Sequence, residues 1–389
     1  MSPVLREDAL DDAAAIEAAD PQDMLRAVAS SGAQVRTAAA ASEEAGLARL
    51  AADDRPRSVV VLGMGGSAVA GDVLAAAAGP ACPVPLVTHR GYDLPAWVGA
   101  ADLVVAVSCS GRTEETLSAL DVAVRRGSRL LVVGAEDSPV HERARQARGL
   151  FVAAPQGRQP RASLWSLATP LVVAGHHLGL LPTGGPGLAE TLEATAARLE
   201  QVADRCRPTS DAPLNPGKAL AHDIAGALPM VWGTSPLGGT AAYRFACQLA
   251  ENAKAPAVSG LLPEANHNQV VCFDGPYGAL AAGGGPDEDL FRDRVDDTAA
   301  PLRLRLVLLR DARDHEHPQT ARRAAVSRAL ADARGVAVSE LVAEGESGYE
   351  RLAELVGVTD YASVYLALLH GVDPTPVSAI EDLKQQIAR

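Results

Sequence analysis

The sequence predicts an α/β protein built from two doubly wound halves, each a parallel sheet flanked by helices. Three observations carry this. Short apolar runs alternate with helical stretches along most of the chain, the pattern of strands covered on both faces. A strand–glycine loop–helix opening occurs in each half, VVVLGMGGSAVAG at 59–71 and MVWGTSPLGGTAAY at 230–243, which reads as a weak internal duplication. And 389 residues exceed one ordinary core, while 48% hydrophobic residues suffice to fill two. Aromatics are only 3%, so Ala, Val and Leu must pack the interior, and small side chains demand close helix–sheet approach.

Residues 1–50 are expected to form an N-terminal helical segment. The first α/β domain is assigned to 51–185. SVVVLGMGGSAVAGDVLAAAA (58–78) reads as strand, turn and helix, and VPLVTH (84–89) as a strand. DLVVAVSCSGRTEETLSALDVAVRRG (102–127) repeats the unit; SRLLVVGA (128–135) and GLFVAAP (149–155) are further strands, and 162–181 is a helix. A helical linker occupies 186–214. The second α/β domain runs over 215–389, with strands at 227–235, 270–275, 304–311 and 335–342. Its helices are expected at 240–255, 320–335 and 347–369, with a closing helix after Pro376.

Net charge is −13, so a phosphate backbone is repelled and nucleic acid is not an expected partner. Any phosphorylated ligand must be held by local groups. Five scattered Cys with no C-x-x-C pair argue against a disulfide framework or zinc ribbon and fit a reducing compartment. The acidic start MSPVLREDALDD lacks the apolar core of a signal peptide, and no long uncharged apolar run indicates a membrane span. A cytoplasmic protein is expected. Lys and Arg number 35 together, yet Lys occurs only at 218, 254 and 384. Where Arg is the default cation, each retained Lys deserves inspection.

The segment SCSGRTEETL (108–117) follows an apolar strand and opens a helix. Ser108, Ser110 and Thr113 set three hydroxyls around Gly111, beside first-turn amides that lack intrahelical partners. A single hydroxyl here would ordinarily be a helix cap; three around a glycine point to a phosphate. GMGGSA (63–68) fits the G-x-G-x-x-A dinucleotide pattern, but the next strand ends Thr88-His89-Arg90, without the acid that holds a ribose. Arg161, in PQGRQPRASL, stands at a loop–helix junction, where it could stabilise an oxyanion or be an ordinary surface Arg. In AENAKAPAVSGLLPEANHNQV (250–270), Glu251 and His267 offer a carboxylate and an imidazole for base and acid work, or simply turn and cap chemistry.

Six motifs in order, GMGGSAVAGD, SCSGRTEETL, PQGRQPRASL, ENAKAP, PEANHNQV and GVDPTPVSAIEDLK, resemble the bifunctional phosphoglucose/phosphomannose isomerase family, whose members contain two sugar-isomerase (SIS) domains. The resemblance runs from about residue 58 onward. It implies that Gly66, Ser67, Ser108, Ser110 and Thr113 hold the sugar and its phosphate. It implies that Glu251 moves a proton between C1 and C2 through a cis-enediol, that Arg161 stabilises its charge, and that His267 assists ring opening from the neighbouring subunit of a homodimer. Lys384 would lie near the ring oxygen. No metal and no cofactor are implied; the partner is a sugar phosphate.

Three departures stand out. Arg112 occupies a position where Asn is usual, Gln269 one where an acid is common, and GALAAGGGPDED (278–289) reads as an insertion. Two other readings compete: a non-catalytic phosphosugar-binding sensor, and an NADP-dependent dehydrogenase that uses Arg90. Preference between the two aldose epimers depends on small contacts near C2, for which Thr375 is a weak candidate.

Overall fold

The computed structural model describes residues 6–52, 54–183, 185–282 and 302–387. The glycine-rich stretch 278–289 therefore lies outside the described residues from 283 onward. The chain divides into two compact units, neither continuous in sequence. One comprises Ala29–Gln201 and Glu344–Glu354; the other comprises Met1–Val28, Val202–Ala343 and Leu355–Arg389. The expected α/β architecture is present, with one parallel sheet in each.

The first described helices are α1 (Ala13–Ala19), α2 (Met24–Ala29) and α3 (Ser31–Glu44). Then follow β1 (Val59–Leu62), α4 (Gly66–Ala78), β2 (Leu86–His89), β3 (Leu103–Ser108), α5 (Glu114–Arg125), β4 (Arg129–Gly134), α6 (Pro139–Gln146), β5 (Leu150–Ala153) and α7 (Leu164–His177). The strands form a wholly parallel sheet in the order β2-β1-β3-β4-β5. Every residue of β1 and β3 is buried, as continuous apolar runs require when helices cover both faces. The small-residue helix α4 rides close to the sheet: a Cβ on Gly71 would fall 2.7 Å from Thr88 Oγ1 and 2.9 Å from the Val61 side chain. That approach is how a core poor in aromatics reaches normal density.

The order β2-β1-β3 reverses direction at β1. Crossovers leave β1 and β3 toward opposite sides, so a crevice opens at their carboxyl ends, where doubly wound sheets bind ligands.

The chain continues through α8 (Leu188–Arg205), α9 (Pro216–Ile224), β6 (Ala227–Gly233), α10 (Pro236–Asn252), β7 (Val258–Leu261), β8 (Arg303–Arg310), α11 (Pro318–Asp332), β9 (Ala337–Val342), α12 (Gly348–Leu369) and α13 (Ser378–Ile387). The second sheet is also parallel, in the order β7-β6-β8-β9. Its leading strand β6 and helix α10 match β1 and α4 in topological position, as the duplicated openings anticipate.

One expected strand is absent. VVCFDG (270–275) is a 3-10 helix, Gln269–Asp274. Its apolar residues repeat every three positions rather than every two. Val270 and Phe273 face inward while Val271 is 66% exposed, and Phe273 stacks on Trp232 with ring centroids 5.6 Å apart. The strand beside β6 is instead β7, in a stretch read as a polar turn.

In the second-sheet unit α10 and α12 share a buried polar stripe. Arg244 donates to both oxygens of Asp360 (3.0 and 2.7 Å), Gln248 donates to Asp360 Oδ1 (3.1 Å), and Asn252 donates to Ser363 Oγ (2.9 Å). Residues 244, 248 and 252 recur every four positions, so they line one face of α10 and lock its register on α12. Removing one member of a buried pair strands the other charge. Asp360→Ala is expected to cost about 3–5 kcal/mol in urea unfolding; a loss below about 1 kcal/mol would mean that Arg244 finds water or another partner.

Candidate active site

In the first-sheet unit, the loops after β1 and β3 meet. β3 ends on Ser108, which is fully buried, and its Oγ lies 3.0 Å from Thr113 Oγ1. The Cys109 N–H donates to Ser67 Oγ (3.3 Å) in the first turn of α4, joining the two loops. Gln156 donates to the carbonyls of Cys109 (3.2 Å) and Ala154 (2.9 Å) and so holds the far side of the β3 loop. The turn closes with Gly111 N–H on Ser108 O (2.9 Å) and Arg112 N–H on Ser110 Oγ (3.3 Å).

Thr113 occupies the cap position of α5, but its side chain makes no cap bond. The comparable Ser235, at the start of α10, does cap, accepting from Gly238 N–H (3.2 Å). The same chemistry in sequence thus does different work in the two halves. At α5 the hydroxyl turns to Ser108 and leaves the first-turn amides without a side-chain partner among the described residues. Thr116 Oγ1, in that turn, is buried and has no hydrogen-bond partner among the described residues. Uncapped amides at the positive end of a twelve-residue helix, with adjacent hydroxyls, make an anion seat. Burial pushes the Cys109 thiol up, opposed by its bond with Ser163, so no thiolate forms beside that seat to repel an anion.

Arg161 is not a surface residue: it is 3% exposed, on the 3-10 turn Pro160–Ala162. That turn lies over α4's start, since a Cβ on Gly66 would stand 3.5 Å from Pro160 O and 3.8 Å from Arg161 Cα. Gly66, Ser67, Ser108, Ser110, Thr113 and Arg161 thus belong to one unit and one crevice. The dinucleotide reading fares poorly there. Arg90 is ion-paired with Asp72, and Pro160 O stands close to Gly66, one residue past the Gly65 of that pattern. Arg112 is exposed beside the anion seat.

Glu251, His267 and Lys384 belong to the second-sheet unit. Glu251 lies in the last turn of α10 and is half-buried. His267 ends the 3-10 turn Glu264–His267 and is exposed; Lys384 is exposed on α13. Gln269 faces inward. It accepts from Trp232 Nε1 (2.6 Å) and donates to Ser259 O (3.1 Å), tying the PEANHN turn to β6 and β7. A carboxylate would serve the indole but oppose the carbonyl, so the amide suits this bridge. Gln156 and Thr116 were not singled out in the sequence, although both lie within quoted motifs; Thr116 stands out only through its missing partner among the described residues.

A family model described as the bacterial phospho-glucose isomerase C-terminal SIS domain matches residues 214–387. A bifunctional phosphoglucose/phosphomannose isomerase of Caldicellulosiruptor bescii is 32% identical over 330 residues, covering 85% of this chain and 89% of that protein. Its namesake from Aquifex aeolicus is 30% identical over 334 residues, 86% and 91% of the two chains. Among solved structures, a hypothetical protein from Thermus thermophilus has a TM-score of 0.65 at 17% identity over 96% of this chain and 94% of its own. A glucose-6-phosphate isomerase from Chlamydia trachomatis has a TM-score of 0.61 at 16% identity, over 90% and 72%. These likenesses show an SIS fold. The chain belongs to the bifunctional phosphoglucose/phosphomannose isomerase family.

Gly111 has φ 67°, and a Cβ there would fall 2.1 Å from Ser138 Oγ; Gly127 has φ 69° with open space around it. Gly127→Ala is expected to cost the left-handed penalty alone, about 1–2 kcal/mol. Gly111→Ala is expected to cost at least about 1 kcal/mol more in denaturant unfolding. Equal losses would show that Ser138 simply moves aside.

Proposed function

We propose that this chain interconverts glucose 6-phosphate or mannose 6-phosphate with fructose 6-phosphate through a cis-enediol. The observation that carries the reading is the uncapped start of α5, where Thr113 faces Ser108 instead of closing its own helix. A phosphate dianion satisfies those amides and both hydroxyls without a lysine. In this reading Ser67, Ser110 and the backbone at Gly66 complete the cradle.

The reaction moves one proton between neighbouring carbons and leaves charge on an oxygen. It needs a carboxylate base and a cation near that oxygen. Glu251 takes the proton from C2 of the aldose, or C1 of the ketose, and returns it to the other carbon. Arg161, already withdrawn from water, stabilises the enediolate; a buried guanidinium acts more strongly than an exposed one. Lys384 and His267 handle the ring oxygen during opening. His267 comes from the partner in a homodimer, a role that its exposed position allows. Family membership and the ordered motifs support this assignment of roles.

Glu251→Gln keeps the size of the side chain and removes the base. Turnover of fructose 6-phosphate is expected to fall by about 10³-fold or more while the sugar still binds. Thr113→Val is expected to weaken inorganic phosphate binding roughly tenfold, with less stability loss than the ~1 kcal/mol of a lost cap. A Glu251→Gln enzyme that keeps substantial turnover, in a coupled assay run with both aldose phosphates, would remove the assigned base. Wild-type protein that binds the sugars without converting them would instead mark a sensor.

A further inference from the structure

We propose that Lys254 is a positioning residue for the isomerase reaction: its ammonium ties the end of the helix that carries Glu251 to the segment that leads to Lys384, and arginine cannot replace it. The inference rests on the reading of Glu251 as the base.

Helix α10 ends at Asn252, and two residues on, Lys254 adopts φ 54°, in the left-handed region that a side-chain-bearing residue rarely enters. Lys254 Nζ donates to the carbonyls of Glu251 (3.0 Å), Asn252 (3.1 Å) and Asp373 (3.0 Å), with Pro374 O at 3.4 Å. The first two are last-turn carbonyls that α10 itself cannot satisfy, at the negative end of its dipole. The other two begin the DPTPV segment that runs into α13. There the Asp373 carboxylate accepts from Thr375 N–H (2.9 Å), which stiffens the segment.

The choice of lysine has a physical reason. An ammonium presents its donors radially from one point and suits a cup of carbonyls, whereas a guanidinium presents a flat fork suited to carboxylates. Lys218 repeats the pattern. It is 2% exposed, and its Nζ donates to Leu10 O (2.7 Å), Pro208 O (2.7 Å) and Ser210 O (2.9 Å). In a chain where arginine is the usual cation, lysine is retained at two carbonyl cups, and only the cup at Lys254 joins two segments that bear proposed reacting groups.

Lys254→Met, Lys254→Arg, Lys218→Met and Glu251→Gln would be made in the full chain. Each would be measured for kcat and KM with fructose 6-phosphate and for thermal unfolding. Both Lys254 variants are expected to lose roughly tenfold or more in kcat, since small misplacement of reacting groups is costly. Their KM should stay within about threefold, because the phosphate seat is untouched. Lys218→Met is expected to melt earlier but to keep its kcat below its melting range. A Lys254→Met enzyme with near-normal kcat, full rescue by Lys254→Arg, or an equal kcat loss in Lys218→Met would each overturn the proposal. If Lys254→Met does not fold, Lys254→Arg decides. An active Glu251→Gln enzyme would instead overturn the base assignment, a distinguishable failure.

Discussion

A helix that starts directly after a buried parallel strand has amide groups that must find a partner, and everything at the crevice follows from how α5 meets that need. The strand order reverses at β1, so two loops share the space beyond the carboxyl ends of β1 and β3. Ser67 reaches across from one loop to the Cys109 amide on the other, and Gln156 braces the turn from behind. The side-chain hydrogen bonds here shape the loop, and the Thr113 side chain does not cap the helix. Had Thr113 capped α5, as Ser235 caps α10, the same sequence pattern would describe a finished and inert helix start.

That difference marks the limit of what the sequence made legible. The strands of the first sheet, the glycine turns and the helix starts are local signals, and they appear where apolar runs and turn residues place them. Whether a threonine caps its own helix or faces a neighbour is a matter of rotamer and packing, which spacing does not encode. The error at VVCFDG has the same origin. A short apolar run fits a strand or a tight helix equally, and Trp232 decided it by offering Phe273 a stacking surface and Gln269 an indole donor. Strand β7 was missed because Val258–Leu261 contains a glycine, follows Pro256 and is exposed at both ends, an edge strand without an apolar run. The grouping of Arg161, Glu251, His267 and Lys384 came from family motifs rather than from chemistry visible in any one segment. Arg161 alone reads as one more surface arginine until its burial is seen.

The two helices of the polar stripe illustrate how specificity is placed within an apolar interior. Helix α12 is long and apolar enough to pass for a membrane span by length and composition, yet that stretch is wholly buried within the protein. What separates it from a lipid-facing helix is the row that includes Asp360 and Ser363, matched residue by residue on α10. Greasy contacts alone would let α10 slide or rotate by a residue; the buried ion pair and amide bonds permit one register. The helix so fixed is the one that carries Glu251 in its last turn, so stability is given up for placement where placement matters.

The scarcity of lysine has a practical chemical consequence. An amine-reactive reagent needs an uncharged, accessible nitrogen. Lys218 is sealed among three carbonyls, and the Lys254 amine is engaged by the end of α10. Lys384, on the exposed face of α13, is left as the lysine whose nitrogen stands open to such a reagent among the described residues. Among the lysine side chains, acylation should therefore concentrate at Lys384. A covalent label there would report, through its own rate of attachment, when the C-terminal helix becomes shielded.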